Sequence, residues 1–411
     1  MQTQPTVWVL SELYYPEEAA TGHYVTKIAE GLADRHRVGV LCGQPSYEAR
    51  GLRAPRRERR RGVDIYRCGA TVLNKDIALY RALNLFTITV SIFLQACLRI
   101  RRGDSVLVVT NPPTLPFLAQ VACRIRGARC LLLVHDLYPD VLVAAGLANP
   151  GSFLTRGMER LQRRLYRSVD RVIVLGRDMR ARVAEKLGGD DRHLEIIPNF
   201  ADTHEIVPSP RQGNALIGAL GLGDKFVVQY SGNIGRMHGI EDLLACARLL
   251  ESTDTVFLFI GSGAKLPLVE RAARERDPSN LVVLGRRPRN ELSESLGACD
   301  IAVISLLPGM GGVSVPSRMY NILAAGRPIL AVADANSELA LVVREERVGW
   351  VVPPGQPLAV AEAIEGARSD PYELERMSAR ARRAAEGKYL LRHVNAAYDD
   401  LIRGLDGGAR R

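Results

Sequence analysis

Thirteen short runs of Val, Ile and Leu, with little polar alternation, constrain this chain more than any other feature. A strand with one solvated face alternates apolar and polar residues, whereas a strand covered on both faces need not. The runs therefore predict parallel strands buried between two layers of helices. In the first half they fall at 6–10, 37–42, 63–66, 105–109, 130–134, 171–175 and 195–197. In the second half they fall at 226–230, 256–260, 281–284, 301–304, 328–332 and 350–352. Amphipathic stretches fill the gaps and supply the crossovers. The pattern pauses at 198–212, where Pro198, Asn199, Pro208 and Pro210 punctuate a linker, and then repeats.

This predicts an α/β chain of two Rossmann-like, doubly wound domains, 1–200 and 201–386. A last segment, 387–411, is expected to return to the first domain. A length of 411 residues suits that count. Two such domains are expected to face a cleft, with ligands beyond the C-terminal ends of the strands. The loops after the strands are therefore where chemistry is sought.

Charge divides the halves. The chain carries a net +10, yet residues 1–200 hold 30 basic and 19 acidic residues while 201–411 are near neutral. An anionic partner is expected for the first half alone. Seven widely spaced cysteines with no CxxC favour neither a disulfide framework nor a zinc site and fit a reduced, cytoplasmic setting. The N-terminus reads as a first strand and not as a secretory signal.

Glycine loops mark the candidate anion sites. Strand 226–230 runs into Ser231-Gly232-Asn233-Ile234-Gly235-Arg236-Met237-His238, and a helix starts near Gly239. Glycine lets backbone amides approach a phosphate, and a helix N-terminus adds partial positive charge. This is neither the dinucleotide fingerprint nor a P-loop, and strand–Gly-x-x-Gly–helix is by itself often a plain turn. Gly261-Ser-Gly263 and Gly285-Arg286-Arg287-Pro288 follow the next two strands. A longer loop with Gly309, Gly311 and Gly312, read as mobile, leads to Ser317, a candidate cap of a helix opening at Arg318. In the first half, Gly22 precedes a helix expected near Tyr24. His135 and Asp136 follow strand 130–134, where catalytic groups sit, although a histidine at a strand end is more often structural.

With these residues in place the chain resembles glycosyltransferase family 4, retaining sugar transferases of the GT-B fold. It is most similar to the bacterial colanic-acid, capsule, exopolysaccharide and O-antigen types. The likeness rests on Tyr15-Pro-Glu17 with Gly22, His135-Asp-Leu-Tyr-Pro-Asp140, Ile196-Ile-Pro-Asn199, Tyr230-Ser-Gly-Asn-Ile-Gly235, Phe259-Ile-Gly-Ser-Gly263, Val315-Pro-Ser-Arg318 and Ala325-Gly-Arg-Pro328. It implies a nucleotide-sugar donor, a UDP-sugar first, held by Gly22, Gly232, Asn233, Gly235, Arg236, His238, Gly261, Gly263, Arg286, Ser317 and Asn321. It implies catalytic roles for His135 and Arg318, and a lipid-linked glycan acceptor, such as a polyprenyl diphosphate, on the first domain. No metal or cofactor is implied: charge on the leaving diphosphate would be met by amides, a helix dipole and arginines. Family members commonly carry two Glu with seven positions between them. Here those positions are Val313 and Asn321. The positions of a common Arg and Lys are Asn233 and His238, the latter expected to be charged part of the time near neutrality. A nucleotide-sugar epimerase on the same fold is the alternative.

The basic surplus of the first half has its own reading. Residues 50–61 hold seven arginines, and 82–98 form an apolar stretch with Arg at both flanks. About 17 residues is at the short limit for a span. A peripheral segment on the inner face of the plasma membrane is therefore expected, through Arg56, Arg57, Arg59, Arg60, Arg61, Phe86 and Phe93. The competing reading is a buried helix beside a solvated arginine loop. No aromatic residue lies within 50–61, which argues against nucleic acid.

Overall fold

The computed structural model describes residues 5–45, 52–73 and 77–408. They form two units. The first comprises Met1–Pro139, Pro150–Asn199 and Leu391–Arg411, and the second comprises Asp140–Asn149 and Phe200–Leu390.

The first unit is built on eight strands: β1 (Thr6–Leu10), β2 (Arg37–Cys42), β3 (Arg57–Arg60), β4 (Val63–Arg67), β5 (Ser105–Val109), β6 (Arg129–Val134), β7 (Arg171–Val174) and β8 (Leu194–Ile196). Their order is β3-β4-β2-β1-β5-β6-β7-β8, parallel except for β3. Strands β1 and β5 are buried almost throughout, as their unbroken apolar composition requires. Helices α1 (Ala20–Leu32), α2 (Ala78–Arg99) and α3 (Leu115–Arg126) cross between them, and α5 (Phe153–Ser168) and α6 (Arg177–Lys186) follow; α4 (Asp140–Ala144), which precedes α5 in the chain, belongs to the second unit. Strand order reverses at β1, with β2 on one side and β5 on the other, so the first crossover runs opposite to the later ones. Right-handed connection then places α1 on one face and α2, α3 and α5 on the other.

The second unit has six parallel strands in the order β11-β10-β9-β12-β13-β14. They are β9 (Phe226–Asn233), β10 (Thr255–Ser262), β11 (Leu281–Leu284), β12 (Ile301–Ser305), β13 (Ile329–Val332) and β14 (Gly349–Val352). The helices are α7 (Ala215–Ala219), α8 (Ile240–Leu249), α9 (Leu266–Glu275), α10 (Leu292–Gly297), α11 (Arg318–Ala324), α12 (Glu338–Glu346), α13 (Pro357–Ser369) and α14 (Pro371–Gly387). Its core packs Phe257, Phe259, Ile301, Val303 and Leu330 of the sheet against Ile240, Leu243 and Ile364 of the helices. The last helix, α15 (Leu391–Gly408), packs on α1 of the first unit. Its buried Asp399 accepts from Arg35 at 2.6 Å and lies 2.7 Å from the His36 ring and 3.0 Å from Arg403.

Two features differ from the sequence reading. The arginine run is not a loop. Of its residues, Arg50 and Gly51 lie outside the described ones, and Arg57–Arg60 form the antiparallel edge strand β3 against β4. The link is the two-residue turn Arg61-Gly62 with φ of 45° and 80°, the left-handed pair that matches strand twist in a hairpin. Its charges are partly spent locally. Arg60 and Arg61 pair with Glu30, and Arg67 of β4 pairs with Glu58 at 2.7 Å. Arg56, Arg57, Arg59 and Arg61 are exposed.

Helix α2 is longer than expected. Leu79–Arg99 is 21 residues long with mean hydropathy 1.5, enough in length and composition to cross a membrane. Its inner stripe, Ile88, Ile92 and Ala96, is buried in the unit, as is Ile100 just past its end. Burying Ile88 and Ile92 stabilises the unit by about 1.5–3 kcal/mol each. Phe86 is exposed and Phe93 half-buried.

Candidate active site

In a doubly wound sheet the crevice lies at the C-terminal ends of the strands where order reverses. In the second unit that point is between β9 and β12. The loop after β9 and the loop after β12 meet there: Leu307 N–H donates to Met237 O at 3.1 Å, and Ser305 Oγ to Gly239 O at 3.0 Å. Helix α8 starts at once, with Gly239 as its N-cap and no side-chain cap.

Strands β9 and β10 run further than their apolar cores suggest, pairing Gly232 with Gly261 and Asn233 with Ser262. Glycine makes this approach possible. Gly261 has φ 147°, and a Cβ there would lie 1.9 Å from Gly232 O. A Cβ on Gly263 would meet Ile234 O at 2.4 Å and Asn233 Oδ1 at 2.6 Å. These two glycines therefore shape the strand tips that carry Gly232 and Asn233.

Arg318, first residue of α11, reaches back over this tip. Its Nη2 donates to Asn233 O at 3.1 Å, and its Cζ lies 4.5 Å from the centre of the Tyr230 ring. The Tyr230 hydroxyl also donates to Asn233 O, at 2.7 Å. Arg318 Nη1 is buried with no hydrogen-bond partner, and no carboxylate pairs with this guanidinium among the described residues. Such a cation is costly to hold unless something anionic joins it. Tyr230 and Arg318 meet across 88 positions of sequence, a contact that periodicity cannot report.

His238 completes the cluster. Gly235 N–H donates to its Nδ1 at 3.1 Å, and Arg318 Nη2 lies 3.2 Å from its Nε2. A neutral imidazole accepts at one nitrogen only, so one of these contacts is donor against donor. Burial first, and then Arg318, drive its pKa down to about 2. His238 is thus neutral throughout the physiological range, which corrects the expectation of partial charge; the cation here is Arg318. Lys265 holds the loop from below, donating to His238 O at 2.8 Å and pairing with Glu241 at 2.7 Å. Arg236 is exposed and has no ion pair among the described residues.

The loop leading to α11 is anchored, not mobile. Asp334 after β13 accepts from Gly309 N–H at 3.3 Å and Gly311 N–H at 2.8 Å, and Met310 and Val313 are buried. The sequence reading missed Asp334; its place just after a strand, before the Ser337 cap of α12, is the signal that was available. Ser317 is not a side-chain cap, because its backbone is helical (φ −61°, ψ −24°) and turns the hydroxyl from the first amides. Asn321 lies one turn beyond Arg318 and is half-buried. Arg286 is exposed after β11, away from the Arg318 cluster in sheet order.

In the first unit the corresponding ends of β1, β5 and β6 gather a second set. Thr110 Oγ1 accepts from His135 N–H at 3.1 Å. The His135 Nε2 is buried without a hydrogen-bond partner, and burial pushes its pKa down to about 4. Burial pushes Asp136 up to about 6, and burial together with Asp136 takes Tyr138 up to about 12. Helix α1 begins at Ala20, four residues earlier than expected, so Gly22 lies within its first turn. A Cβ on Gly22 would lie 2.9 Å from Glu17 O.

Both units have relatives among known proteins. A glycosyl transferase 4-like domain matches residues 20–199, and a domain of glycosyl transferases group 1 matches residues 216–384. The chain is 34% identical over 371 residues to the probable glycosyltransferase WbjE of Pseudomonas aeruginosa, covering 87% of this chain and 88% of that one. It is 27% identical over 339 residues to the putative colanic acid biosynthesis glycosyl transferase WcaI of Escherichia coli K12, covering 79% and 83%. The solved structure of Anabaena Alr3699/HepE in complex with UDP-glucose superposes with a TM-score of 0.72 at 15% identity, covering 97% and 99%.

Proposed function

The chain belongs to the glycosyltransferases defined by the 4-like and group 1 domains, enzymes that transfer sugars, with two doubly wound domains of GT-B type; from that premise we propose how it does so and on what. It moves a sugar from a nucleotide-sugar donor to a lipid-linked glycan acceptor in bacterial surface-polysaccharide synthesis. The observation that carries this is Arg318: a half-buried guanidinium without a carboxylate partner, its buried Nη1 unpartnered, over glycine-opened strand tips. A donor diphosphate supplies the missing acceptor. The name of WcaI supports the polysaccharide setting, that of WbjE supports sugar transfer, and the UDP-glucose complex of HepE supports a UDP-sugar as the first donor to test.

In the reaction the bond from the anomeric carbon to the diphosphate breaks, and one to an acceptor hydroxyl forms. Negative charge grows on the leaving diphosphate. Arg318, over the tip of β9, meets that charge where it develops, which lowers the barrier without rearrangement. His135, neutral near pH 7, offers an uncharged ring nitrogen to a donor-sugar hydroxyl. Asn321 replaces a carboxylate by an amide that can still hydrogen-bond a ribose hydroxyl. Configuration is retained and no metal takes part, the departing phosphate serving as base. The acceptor lies on the first domain, which is held at an anionic membrane surface on its cytoplasmic side.

The test is a screen of UDP-, GDP- and dTDP-sugars with lipid-diphosphate acceptors, read by released nucleoside diphosphate and by product analysis. Transfer that requires both substrates supports the reading. An epimerised sugar formed without acceptor replaces it by the epimerase, and no turnover with any pair removes it.

A further inference from the structure

Helix α2 has two apolar faces. Ile88, Ile92 and Ala96 point into the unit, yet Leu79, Leu83, Phe86, Leu94 and Leu98 form an outward stripe, Leu98 being 75% and Leu79 74% exposed. An ordinary surface helix turns polar residues outward. The stripe is about 30 Å long at 1.5 Å per residue. Neighbouring α3 adds exposed Val121 and Ile125, and α5, next in the layer, adds Phe153 and Leu154. These three helices carry nine arginines and one acid, Glu159. A second copy of the chain laid on this face would set arginine against arginine, so the complementary occupant is anionic.

At the C-terminal end of the stripe is a cavity of about 260 Å³. It opens at the N-terminal ends of β1, β2, β4 and β5, the edge opposite to His135 and Gly22. Its aromatic wall is Trp8 and Tyr66, with ring centres 6.0 Å apart. Gly39 makes room for the indole, since a Cβ there would lie 2.5 Å from it. Arg99 stacks 3.9 Å over Tyr66. Arg37, Arg101 and Arg102 also line the cavity, and none has an acidic partner among the described residues. Of the two acids present, Asp104 is consumed by Thr6 N–H, Trp8 Nε1–H and Arg101 N–H at 2.8–3.0 Å, and Asp64 faces Arg59 at 3.9 Å. Leu98 lines the same cavity, joining it to the apolar stripe.

We infer that this cavity binds the phosphate headgroup of an anionic phospholipid while the outer stripe of α2 enters the same leaflet. Guanidinium forks match phosphate oxygens, and an amphipathic helix lies in the headgroup boundary with its apolar side down. The inference rests on the membrane-surface reading above and says where the bilayer is touched: at the strand edge away from the reacting groups of the first unit. It moves the contact from the arginines of the β3 hairpin, two of which, Arg60 and Arg61, share the carboxylate of Glu30, to Arg37, Arg99, Arg101 and Arg102.

The test is sedimentation of the full chain with phosphatidylglycerol or phosphatidylcholine vesicles. The variants are Arg37→Ser/Arg101→Ser/Arg102→Ser and Leu94→Ser/Leu98→Ser. Three interfacial arginines predict a fall of about 100-fold in partitioning onto phosphatidylglycerol at low salt, vanishing at high salt, with phosphatidylcholine binding unchanged. The leucine pair is expected to weaken binding to both lipids. In a Trp350→Phe background Trp8 is the sole indole and reports occupancy by its emission. Its emission is expected to shift with phosphatidylglycerol vesicles and not with inorganic phosphate or glycerol phosphate at millimolar concentration. An unchanged melting temperature and UDP-induced thermal shift establish that each variant is folded. Failure of the unaltered chain to bind any vesicle removes the membrane reading itself. Vesicle binding that the triple variant retains in full, or a Trp8 response to soluble phosphate alone, overturns the inference and leaves that reading standing.

Discussion

Replacing Arg318 by alanine separates a charge that meets the transition state from one that merely holds the loop. The guanidinium donates to Asn233 O, lies 3.2 Å from His238 Nε2 and stacks on the Tyr230 ring. Those contacts are worth about 1–3 kcal/mol together, and removing a half-buried cation offsets part of the loss. The melting temperature is therefore expected to fall by only a few degrees. Loss of one preorganised donor to a developing anion costs about 2.7–4 kcal/mol, or roughly 100- to 1,000-fold in kcat. Arg318→Lys keeps the charge but loses the fork that serves Asn233 O and a ligand at once, so an intermediate loss is expected. Steady-state transfer, with kcat and KM resolved, is the assay. A raised KM with kcat within threefold of the parent would mean uniform binding of donor and transition state, and would refute the reasoning.

Three further outcomes follow from the same geometry. Gly261→Ala forces a Cβ to 1.9 Å from Gly232 O and should destabilise the second domain by about 3 kcal/mol or more, with donor-induced thermal shift lost; a full shift at unchanged stability argues against it. The His238 pKa is depressed, so its contribution to stability is present above the unfolded value near 6.5 and is lost as pH falls towards about 2. That loss runs at about 1.4 kcal/mol per pH unit below 6 in the second domain, and urea titrations of the parent and His238→Gln at pH 6, 5 and 4 should differ by that slope. In the first domain, His135 is depressed and Asp136 raised, so protons bound by one state offset the other between about pH 4 and 6, and the opening free energy obtained from hydrogen exchange after correction for the intrinsic amide rate should be nearly flat with pH. Asp399→Ala leaves Arg35, His36 and Arg403 without their shared acceptor and should free α15, seen as faster C-terminal proteolysis at unchanged nucleotide-induced thermal shift.

Most of the strands were legible because a doubly covered strand has to be apolar throughout, and the runs at 6–10, 37–42, 105–109 and 281–284 match their strands to the residue. The strand β3 was not legible, since Arg-Glu-Arg-Arg has no apolar signature. Its pairing depends on a left-handed turn at Arg61-Gly62 and on Glu30, in a helix nearly 30 positions earlier. The added length of β9 and β10 was hidden for a related reason: the terminal pairs are glycine and polar residues, and only their mutual fit reveals a ladder. The site divides in the same way. Gly232, Gly235 and Arg318 each stood out locally by residue type and place after a strand. Their meeting at Tyr230 and His238, and the neutrality of that histidine, depend on packing between loops that follow different strands.

By itself, then, the sequence determined the periodic quantities: two doubly wound sheets, the loops that flank their strand ends, an apolar α2, and a basic first half. Each is a local pattern, set by which side chains can lie on a pleat or a helix face. Tertiary structure alone decided which face of α2 is buried and which remains outward, which arginines are neutralised by Glu30 and Glu58, and which stand unpaired around Trp8 and Tyr66. It also decided that Arg318 and not His238 carries the charge at the glycine loop. The physical reason is common to all of these. Whether a charge is spent or available depends on what lies within a few ångströms of it, and in this fold those neighbours come from segments 30 to 90 residues away.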